Sequence, residues 1–277
     1  MELVCKIHKL SEIKQLQGYT KYVMLEEDLI SKETIEELIS NKITPILSYF
    51  QMMPPFELEP FEAKLKELPL KECIFYITDL GLAHLLKRLG YIQQVIYDPV
   101  TMITNHLDAK EYYSYGFLAL GLSNEIPIAD VNQIIEASKI RSFYQVFGSR
   151  LMLYSRRQLV SLYAEKVEKT ISKGQPMVLR ETTRKDILPI QETEHGTYIY
   201  RGYYLSLLKE LTTLKVDYAF LNRDNLDFER YIEVVKLFKA VLQGADLSLA
   251  LEKFTLLNLK TSDGFSYKDT VYNKEEF

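Results

Sequence analysis

A cluster of polar and cationic residues follows one strongly apolar stretch of the chain. The stretch spans residues 144–161 and carries Tyr154, Ser155, Arg156 and Arg157 in its second half. Side chains of these types bind phosphate, carboxylate or the face of a base. The apolar first half predicts a buried strand, and a parallel α/β sheet presents its site where such strands end. The alternative is a core strand followed by a solvated basic turn.

Further candidate residues lie where other predicted strands end. Asp98 precedes Pro99, which fits either a carboxylate that holds a ligand or an Asx residue that forms a turn. Glu125 precedes a predicted helix. The alternative to a catalytic role is that its carboxylate interacts favourably with the dipole of that helix. Arg150 and Arg223 follow successive strands and predict a bidentate clamp on an anionic ligand, with solvated ion pairing as the alternative.

The chain lacks the motifs of the best-known catalytic and cofactor sites. It contains no P-loop, GxGxxG, GxSxG or HExxH pattern. Cys5 and Cys73 stand far apart, and the four histidines lack the spacing of metal ligands. We therefore predict no metal site and no evident cofactor. His106 and His195, near predicted strand ends, keep a functional interpretation beside a structural one.

The composition describes an ordinary globular protein. Of its 277 residues, 47% are hydrophobic and 26% charged, and 34 Lys and Arg against 38 Asp and Glu give a net charge of −4. A nucleic-acid contact would therefore need a local basic patch, and residues 150–185 supply one with nine Lys or Arg against three Glu. We see neither a signal peptide nor a membrane span and expect a cytoplasmic protein.

The elements that position these residues alternate between strand and helix. The alternation repeats about eight times at roughly 20–25 residues per unit, which predicts an α/β fold with a TIM-like (β/α) barrel, incomplete or irregular in places. We predict one barrel domain over residues 1–260 and an extended tail over 261–277. Within the barrel we expect a loop over 52–60, irregular chain over 174–194 and a helix over 205–214.

Two blocks of the chain carry short polar motifs after apolar runs. The first block, residues 95–125, contains Thr-Asn at 104–105 and ends on Ser-Asn-Glu at 123–125. The second contains Tyr154-Ser155 and the later Ser161. These motifs resemble peptidase family U32, the collagenase-like proteases, and the resemblance covers residues 95–272. Departures are Asp-Pro-Val at 98–100 in place of the usual Ser-Thr-Gln, and the absence of the cysteines that bind iron–sulfur clusters in many relatives.

The resemblance implies an irregular TIM-like barrel and three alternative functions. The first is tRNA wobble-uridine hydroxylation, or assistance in it, with prephenate as oxygen-transfer partner. The second is the peptidase activity of the family's name, which makes the chain a hydrolase. The third is a non-catalytic partner subunit of a longer paralogue. Because motif residues are partly lost, the resemblance leaves open whether the chain is an enzyme.

The first function gives roles to the candidate residues. Arg150, Arg156 and Arg157 would bind phosphate or a carboxylate ligand, with tRNA as the partner. Asp98, Asn105 and Glu125 would lie at the barrel mouth. Ser155 would be the nucleophile under the peptidase alternative, and Tyr154 and Arg223 complete the predicted substrate-binding set.

Overall fold

The computed structural model describes residues 1–171, 177–180, 182 and 187–268. Its strands are β1 (Glu2–Lys6), β2 (Tyr22–Leu25), β3 (Thr44–Tyr49), β4 (Ile74–Ile77), β5 (Val95–Tyr97), β6 (Ala119–Gly121), β7 (Ser142–Ser155), β8 (Met177–Arg180), β9 (Ile187–Thr193), β10 (Gly196–Ser206), β11 (Tyr218–Leu221) and β12 (Thr261–Ser262). Its α-helices are α1 (Ile13–Leu16), α2 (Lys32–Ser40), α3 (Pro55–Lys66), α4 (Leu80–Arg88), α5 (His106–Ser114), α6 (Ile128–Ser138), α7 (Leu159–Lys166), α8 (Phe228–Leu242) and α9 (Leu247–Thr255).

Eight of these strands form a closed parallel barrel. Strands β1 to β7 pair in chain order, β7 pairs with β11, and β11 pairs back with β1. The predicted TIM-like α/β barrel is thereby confirmed, and it is closed. None of the helices in the described parts of the chain is long and apolar enough to cross a membrane.

The barrel strands are apolar on both faces, as strands of a parallel sheet buried on both sides must be. Side chains that alternate along each strand divide into two groups. One group fills the barrel interior and includes Val4, Ile96 and Phe220. The other packs outward against the helices and includes Leu3 and Leu221.

Helix boundaries follow capping residues that the sequence supplies. The side chain of Ser31 accepts a hydrogen bond from the Thr34 N–H at the start of α2, and that of Asp79 accepts one from the Leu82 N–H at the start of α4. Both caps satisfy backbone donors that a helix leaves free at its first turn. The helices then cover the outer face of the barrel with their apolar sides.

Strand β7 leaves the barrel at its middle and continues beyond the mouth. Its second half pairs antiparallel with β10, and β9 and β8 extend this sheet, which we call the flap. Gly148 permits the departure, because its φ is +108° and a Cβ there would lie 1.9 Å from the Asn222 carbonyl oxygen. The flap therefore rises over the carboxyl ends of the barrel strands.

Three local predictions are wrong. Residues 55–60 belong to α3 rather than to a loop, since burial of Phe61 and Leu65 outweighs the hydrogen bond that Pro60 cannot make. The stretch predicted as irregular carries β8 and β9 in its described part. The helix expected over 205–214 is the end of β10 followed by a single 3₁₀ turn, Glu210–Thr212.

The predicted tail begins with β12, which pairs with β10, and residues 269–277 lie outside the described residues.

Candidate functional site

A cavity of about 520 Å³ opens at the carboxyl ends of the barrel strands, with the flap as one wall. Ligand sites in (β/α) barrels lie at this end. Its lining mixes buried ionisable and amide groups with aromatic rings. The polar groups include Lys6, Glu26, Asp98, Asn124, Gln145, Arg150 and Asp224, and the aromatic ones include Phe50, Phe143, Tyr198, Tyr200 and Phe220.

Asp98 stands at the end of β5 and is held by two donors. The Tyr76 hydroxyl donates to its Oδ2 at 2.9 Å, and the Val100 N–H donates to its Oδ1 at 2.8 Å. Burial raises the pKa of Asp98 above its ordinary value, although these hydrogen bonds and the charge of Arg150 oppose the rise. Asp98 therefore holds a proton more readily than an exposed aspartic acid does.

The surroundings of Asp98 are shaped to hold it. Gly121 on the neighbouring strand β6 has no side chain, and a Cβ there would lie 2.2 Å from the Asp98 Cγ. Val100 has a φ of +65°, a conformation that costs a β-branched residue energy. This conformation accompanies the hydrogen bond from its N–H to Asp98. The absence of a side chain at Gly121 and the left-handed backbone of Val100 therefore both accommodate the Asp98 carboxyl group.

Arg150 lies beside Asp98 and is also nearly buried. Its guanidinium donates to the Asn124 side-chain oxygen and pairs with Glu125 Oε1 at 3.1 Å. Glu125 also lies 3.7 Å from the guanidinium of Arg201 in the flap. Two predicted site residues, Glu125 and Arg150, are thus directly joined. The pair orients the arginine toward the cavity and links the barrel to the flap.

Across the barrel, the buried ammonium of Lys6 is the centre of an ionic cluster. Its ammonium lies 2.6 Å from Asp224 Oδ1 and also pairs with Glu26. His8 Nε2 contacts the same Asp224 oxygen at 3.1 Å. Burial alone would raise the pKa of Asp224, but the charge of Lys6 and hydrogen bonds from His8 and Lys6 hold it below its usual range. Burial alone would lower the pKa of Lys6, and its two carboxylates raise it instead.

The two sides of the cavity therefore offer different chemistry. Asp224 is a compensated carboxylate that stays ionised beside a fixed ammonium group. Asp98 forms no ion pair with a described residue, and burial raises its pKa above the ordinary value. Two carboxyl groups whose pKa values are shifted in opposite directions are typical of sites that assign separate acid and base roles.

Arg223 does not join Arg150 in a clamp. It faces outward from β11, where it pairs with the buried Glu12 and lies with its guanidinium carbon 5.0 Å from the centre of the Phe228 ring. Its neighbour Asp224 faces the cavity instead.

The cluster at the end of β7 belongs to the flap, outside the cavity. The Tyr154 hydroxyl donates to the His195 carbonyl oxygen, and its ring stacks on that of Tyr198 with 4.9 Å between centroids. Arg156 donates to the Met52 carbonyl oxygen and pairs with Glu57 on α3. The two contacts of Arg156 connect the flap to the β3–α3 side of the barrel mouth.

Three other predicted residues also lie apart from the cavity lining. Ser155 Oγ accepts a hydrogen bond from the Arg157 N–H at 3.2 Å, and the Arg157 side chain is exposed. The Asn105 side chain accepts from the Leu107 and Asp108 N–H groups and so caps α5. The structure thus brings together Asp98, Glu125 and Arg150 from the predicted set.

Sequence reasoning missed Lys6, Tyr76 and Asp224. Period-two alternation could have found them, because Lys6 shares a strand face with Val4, and Asp224 continues the face of Phe220. Within the described residues, no group of three or more His, Cys, Asp or Glu is placed to hold a metal ion.

Comparison with known proteins places the chain in a family. The model of the family described as Peptidase family U32 matches residues 26–243. This chain belongs to peptidase family U32. The membership expected from the sequence motifs is thereby confirmed.

One characterised relative and several solved structures resemble the chain. The tRNA hydroxylation protein P2 of Bacillus subtilis (strain 168) is 26% identical, over 61% of this chain and 61% of its own length. The spore cortex-lytic enzyme SleL of Bacillus megaterium has a TM-score of 0.42 at 11% identity, covering 85% of this chain and 73% of its own. The 3-dehydroquinate dehydratase of Aquifex aeolicus has a TM-score of 0.39 at 19% identity, covering 62% and 88%. Scores at this level carry no functional argument.

Proposed function

We propose that this U32-family protein acts in cytoplasmic tRNA hydroxylation and that the barrel cavity is its ligand site. The observation that carries the proposal is the similarity to the tRNA hydroxylation protein P2 of Bacillus subtilis, of which the chain spans about three fifths. The cavity supports it with a buried acid, Asp98, and a fixed ammonium group, Lys6, on opposite walls. Together they present a carboxyl group and a positive charge to a bound ligand.

The experiment is mass spectrometry of tRNA nucleosides from a strain that lacks the gene. We expect a hydroxylated nucleoside to disappear and to return with the wild-type gene. It should also return with Glu252→Gln, a carboxylate-to-amide control on the exposed face of α9. It should not return with Asp98→Ala. An unchanged nucleoside profile in the deletion strain would overturn the proposal.

Prephenate, which the family resemblance implies as oxygen-transfer partner, carries two carboxylates. The two cations deep in the cavity, Lys6 and Arg150, already pair with carboxylates of the protein. A dianion would have to compete with Asp224 and Glu125 for them. The described residues therefore do not fit prephenate, and no chemical step is assigned through it.

The peptidase alternative finds little support at Ser155. A serine nucleophile needs a base within hydrogen-bond reach. Among the described residues, no histidine or carboxylate hydrogen-bonds to Ser155 Oγ, which accepts from the backbone of Arg157 instead. Loss of gelatin cleavage in Ser155→Ala, if the wild-type protein cleaves gelatin, would restore this alternative.

A role as partner subunit is favoured by one specific surface. Leu159, Leu162 and Tyr163 share one face of α7 by their spacing and are 37%, 52% and 63% exposed. Clustered apolar side chains of this kind mark interaction surfaces. We expect a longer family paralogue to co-purify with the wild-type chain but not with Leu162→Glu. Leu256→Glu, at a position 83% exposed after α9, is the matched control.

A further inference from the structure

The charges that line the cavity favour a cationic ligand. Carboxylates outnumber cations among its described residues: Lys6, Lys64 and Arg150 against Glu26, Glu27, Asp28, Asp98, Glu194 and Asp224. A protonated His195 would not change this order. All three cations already contact carboxylates of the protein. An anion would therefore meet engaged positive charges and an excess of negative ones, whereas a cation would be attracted.

Asp98 is the inner carboxylate of the cavity that lacks a counter-ion. Asp224 pairs with Lys6, and the guanidinium of Arg150 donates to Asn124 and Glu125 rather than to Asp98. No described lysine, arginine or histidine forms an ion pair with Asp98. Both groups that donate to it are neutral, the Tyr76 hydroxyl and the Val100 N–H. A carboxylate has about four lone-pair sites, so these two hydrogen bonds leave room for a third donor.

The position of Asp98 is fixed by the barrel. Its carboxyl group occupies the space beside Gly121, where a Cβ would lie 2.2 Å from the Asp98 Cγ. Asp98 is nevertheless only half-buried and lines the cavity, so a ligand can reach it. A carboxylate that is held in place without a cation pays for part of its desolvation with no ionic partner. A positively charged ligand would supply that partner.

Two neutral acceptors of the same cavity also lack partners. The Gln145 amide nitrogen donates to the carbonyl oxygens of Phe147 and Ser149, at 3.2 and 2.9 Å. These bonds fix the amide group, and its Oε1 accepts no hydrogen bond from a described residue. Ser48 Oγ makes none to a described residue either. A carboxylate and two neutral acceptors suit a primary ammonium group, which carries three donors and no acceptor.

Aromatic rings complete the lining and suit an organic body. The ring of Tyr76, whose hydroxyl holds Asp98, lies 5.2 Å from that of Phe143, and Phe143 lies 5.3 Å from Phe220. Phe50 and Tyr198 line the cavity with ring centroids 6.5 Å apart. Aromatic faces attract organic cations as well as flat rings. The volume of about 520 Å³ lies within the range of roughly 300–1,000 Å³ that is usual for small-molecule sites.

We propose that the cavity binds a small organic amine in its ammonium form, with Asp98 as the counter-ion and the aromatic rings around the organic body. The inference rests on the part of the proposed function that makes the cavity the ligand site, and it holds for an amine whether or not tRNA is the substrate. Within the described residues, no group of three or more His, Cys, Asp or Glu is placed to hold a metal ion, which favours an organic cation over a metal.

The first test compares probes of one size with the purified full-length chain by ligand-observed NMR. Benzylamine, benzyl alcohol and benzoate share a ring and differ in charge. We expect benzylamine to bind at least about tenfold more tightly than benzyl alcohol, because a hydrogen bond between charged groups is the stronger one. Benzoate should bind most weakly. Equal or tighter binding of benzyl alcohol or benzoate would overturn the proposal, as would no binding of benzylamine at millimolar concentration.

A fourth probe separates a ring-bearing amine from an alkyl one. n-Butylamine presents the same ammonium on a chain like that of a lysine side chain. It should bind more weakly than benzylamine, because it cannot stack on the aromatic lining. Tighter binding of n-butylamine would overturn the assignment of the aromatic rings to the ligand body.

The second test removes the charge of Asp98 and keeps its size. Asp98→Asn should weaken benzylamine about tenfold and leave benzyl alcohol unchanged. A variant that only disturbs the shape of the cavity would weaken both probes alike, and that result would overturn the proposal. Glu252→Gln, which removes an exposed carboxylate on α9, should match the wild type for both. If Asp98→Asn does not fold, the comparison of probes on the wild-type chain still decides the preference for charge.

The nucleoside experiment and the binding experiment fail separately. If the deletion strain loses its hydroxylated nucleoside but benzylamine shows no preference, the ammonium inference is wrong and the proposed function stands. If benzylamine binds through Asp98 but the deletion strain keeps its full tRNA profile, the cavity binds an ammonium ion and the role in hydroxylation is wrong.

Discussion

Replacement of Gly121 by alanine tests whether the barrel is built around Asp98. The new Cβ would lie 2.2 Å from the Asp98 Cγ and 2.4 Å from its Cβ. Carbon atoms in contact normally stand about 3.5–4.0 Å apart, so the two groups must separate by more than about 1 Å. Both strands lie in a close-packed barrel, where overpacking of this kind costs about 1–3 kcal/mol.

The displacement should also disturb the hydrogen bonds of Asp98. Its carboxyl group cannot move by this amount and keep both the Tyr76 hydroxyl at 2.9 Å and the Val100 N–H at 2.8 Å. We therefore expect Gly121→Ala to lower the free energy of unfolding by about 2–3 kcal/mol, near the upper end of that range. Urea unfolding at neutral pH measures the change.

A double-mutant cycle identifies the cause. In an Asp98→Gly background the new Cβ has no side chain to meet, and the cost of Gly121→Ala should fall by about 1–2 kcal/mol. An Asp98→Ala background should give less relief, because the Asp98 Cβ alone would remain 2.4 Å away. An equal cost in the wild-type and Asp98→Gly backgrounds would refute the claim that Gly121 makes room for the carboxyl group.

Three further predictions concern the buried charges. Lys6→Met leaves Asp224 buried without its ammonium partner and should lower the free energy of unfolding by about 3–5 kcal/mol in urea titrations; a loss below about 1 kcal/mol would contradict it. Folding raises the pKa of Asp98, so the folded state binds this proton more strongly. The contribution of Asp98 to stability should therefore decline as the pH rises from about 4 through its folded pKa, so that the Tm of the wild type should fall relative to that of Asp98→Asn over this range in thermal scans. Arg223→Met leaves the buried Glu12 without its guanidinium partner and should also lower the free energy of unfolding by about 3–5 kcal/mol in urea titrations, so an unchanged unfolding midpoint would disprove it.

The sequence alone was sufficient for the fold class. Alternating strands and helices of nearly constant spacing predict a (β/α) barrel, because each parallel strand needs a crossover helix. Strand ends could also be located, and Asp98, Glu125 and Arg150 were found in this way. A polar side chain that directly follows an apolar strand is a local feature, so it can be recognised without the rest of the molecule.

The direction of each side chain depended on the tertiary structure. Both faces of a parallel strand are apolar, so the sequence does not say which alternate set faces the barrel interior. On β11 the interior set contains Phe220 and continues to Asp224, and Arg223 therefore faces outward. The same ambiguity concealed Lys6, whose inward direction became evident only once β1 was placed in the barrel.

Two further features also depend on contacts between distant segments. Arg150 reaches the cavity because β7 changes register near Gly148, where the Asn222 carbonyl oxygen occupies the space of a side chain. Gly121 matters because Asp98, on a different strand, occupies the position of its missing Cβ. Periodicity and composition describe neighbours along the chain. The shape of this cavity is set by atoms from separate strands that meet only when the barrel closes, and this is why the sequence could locate its residues but not assemble the site.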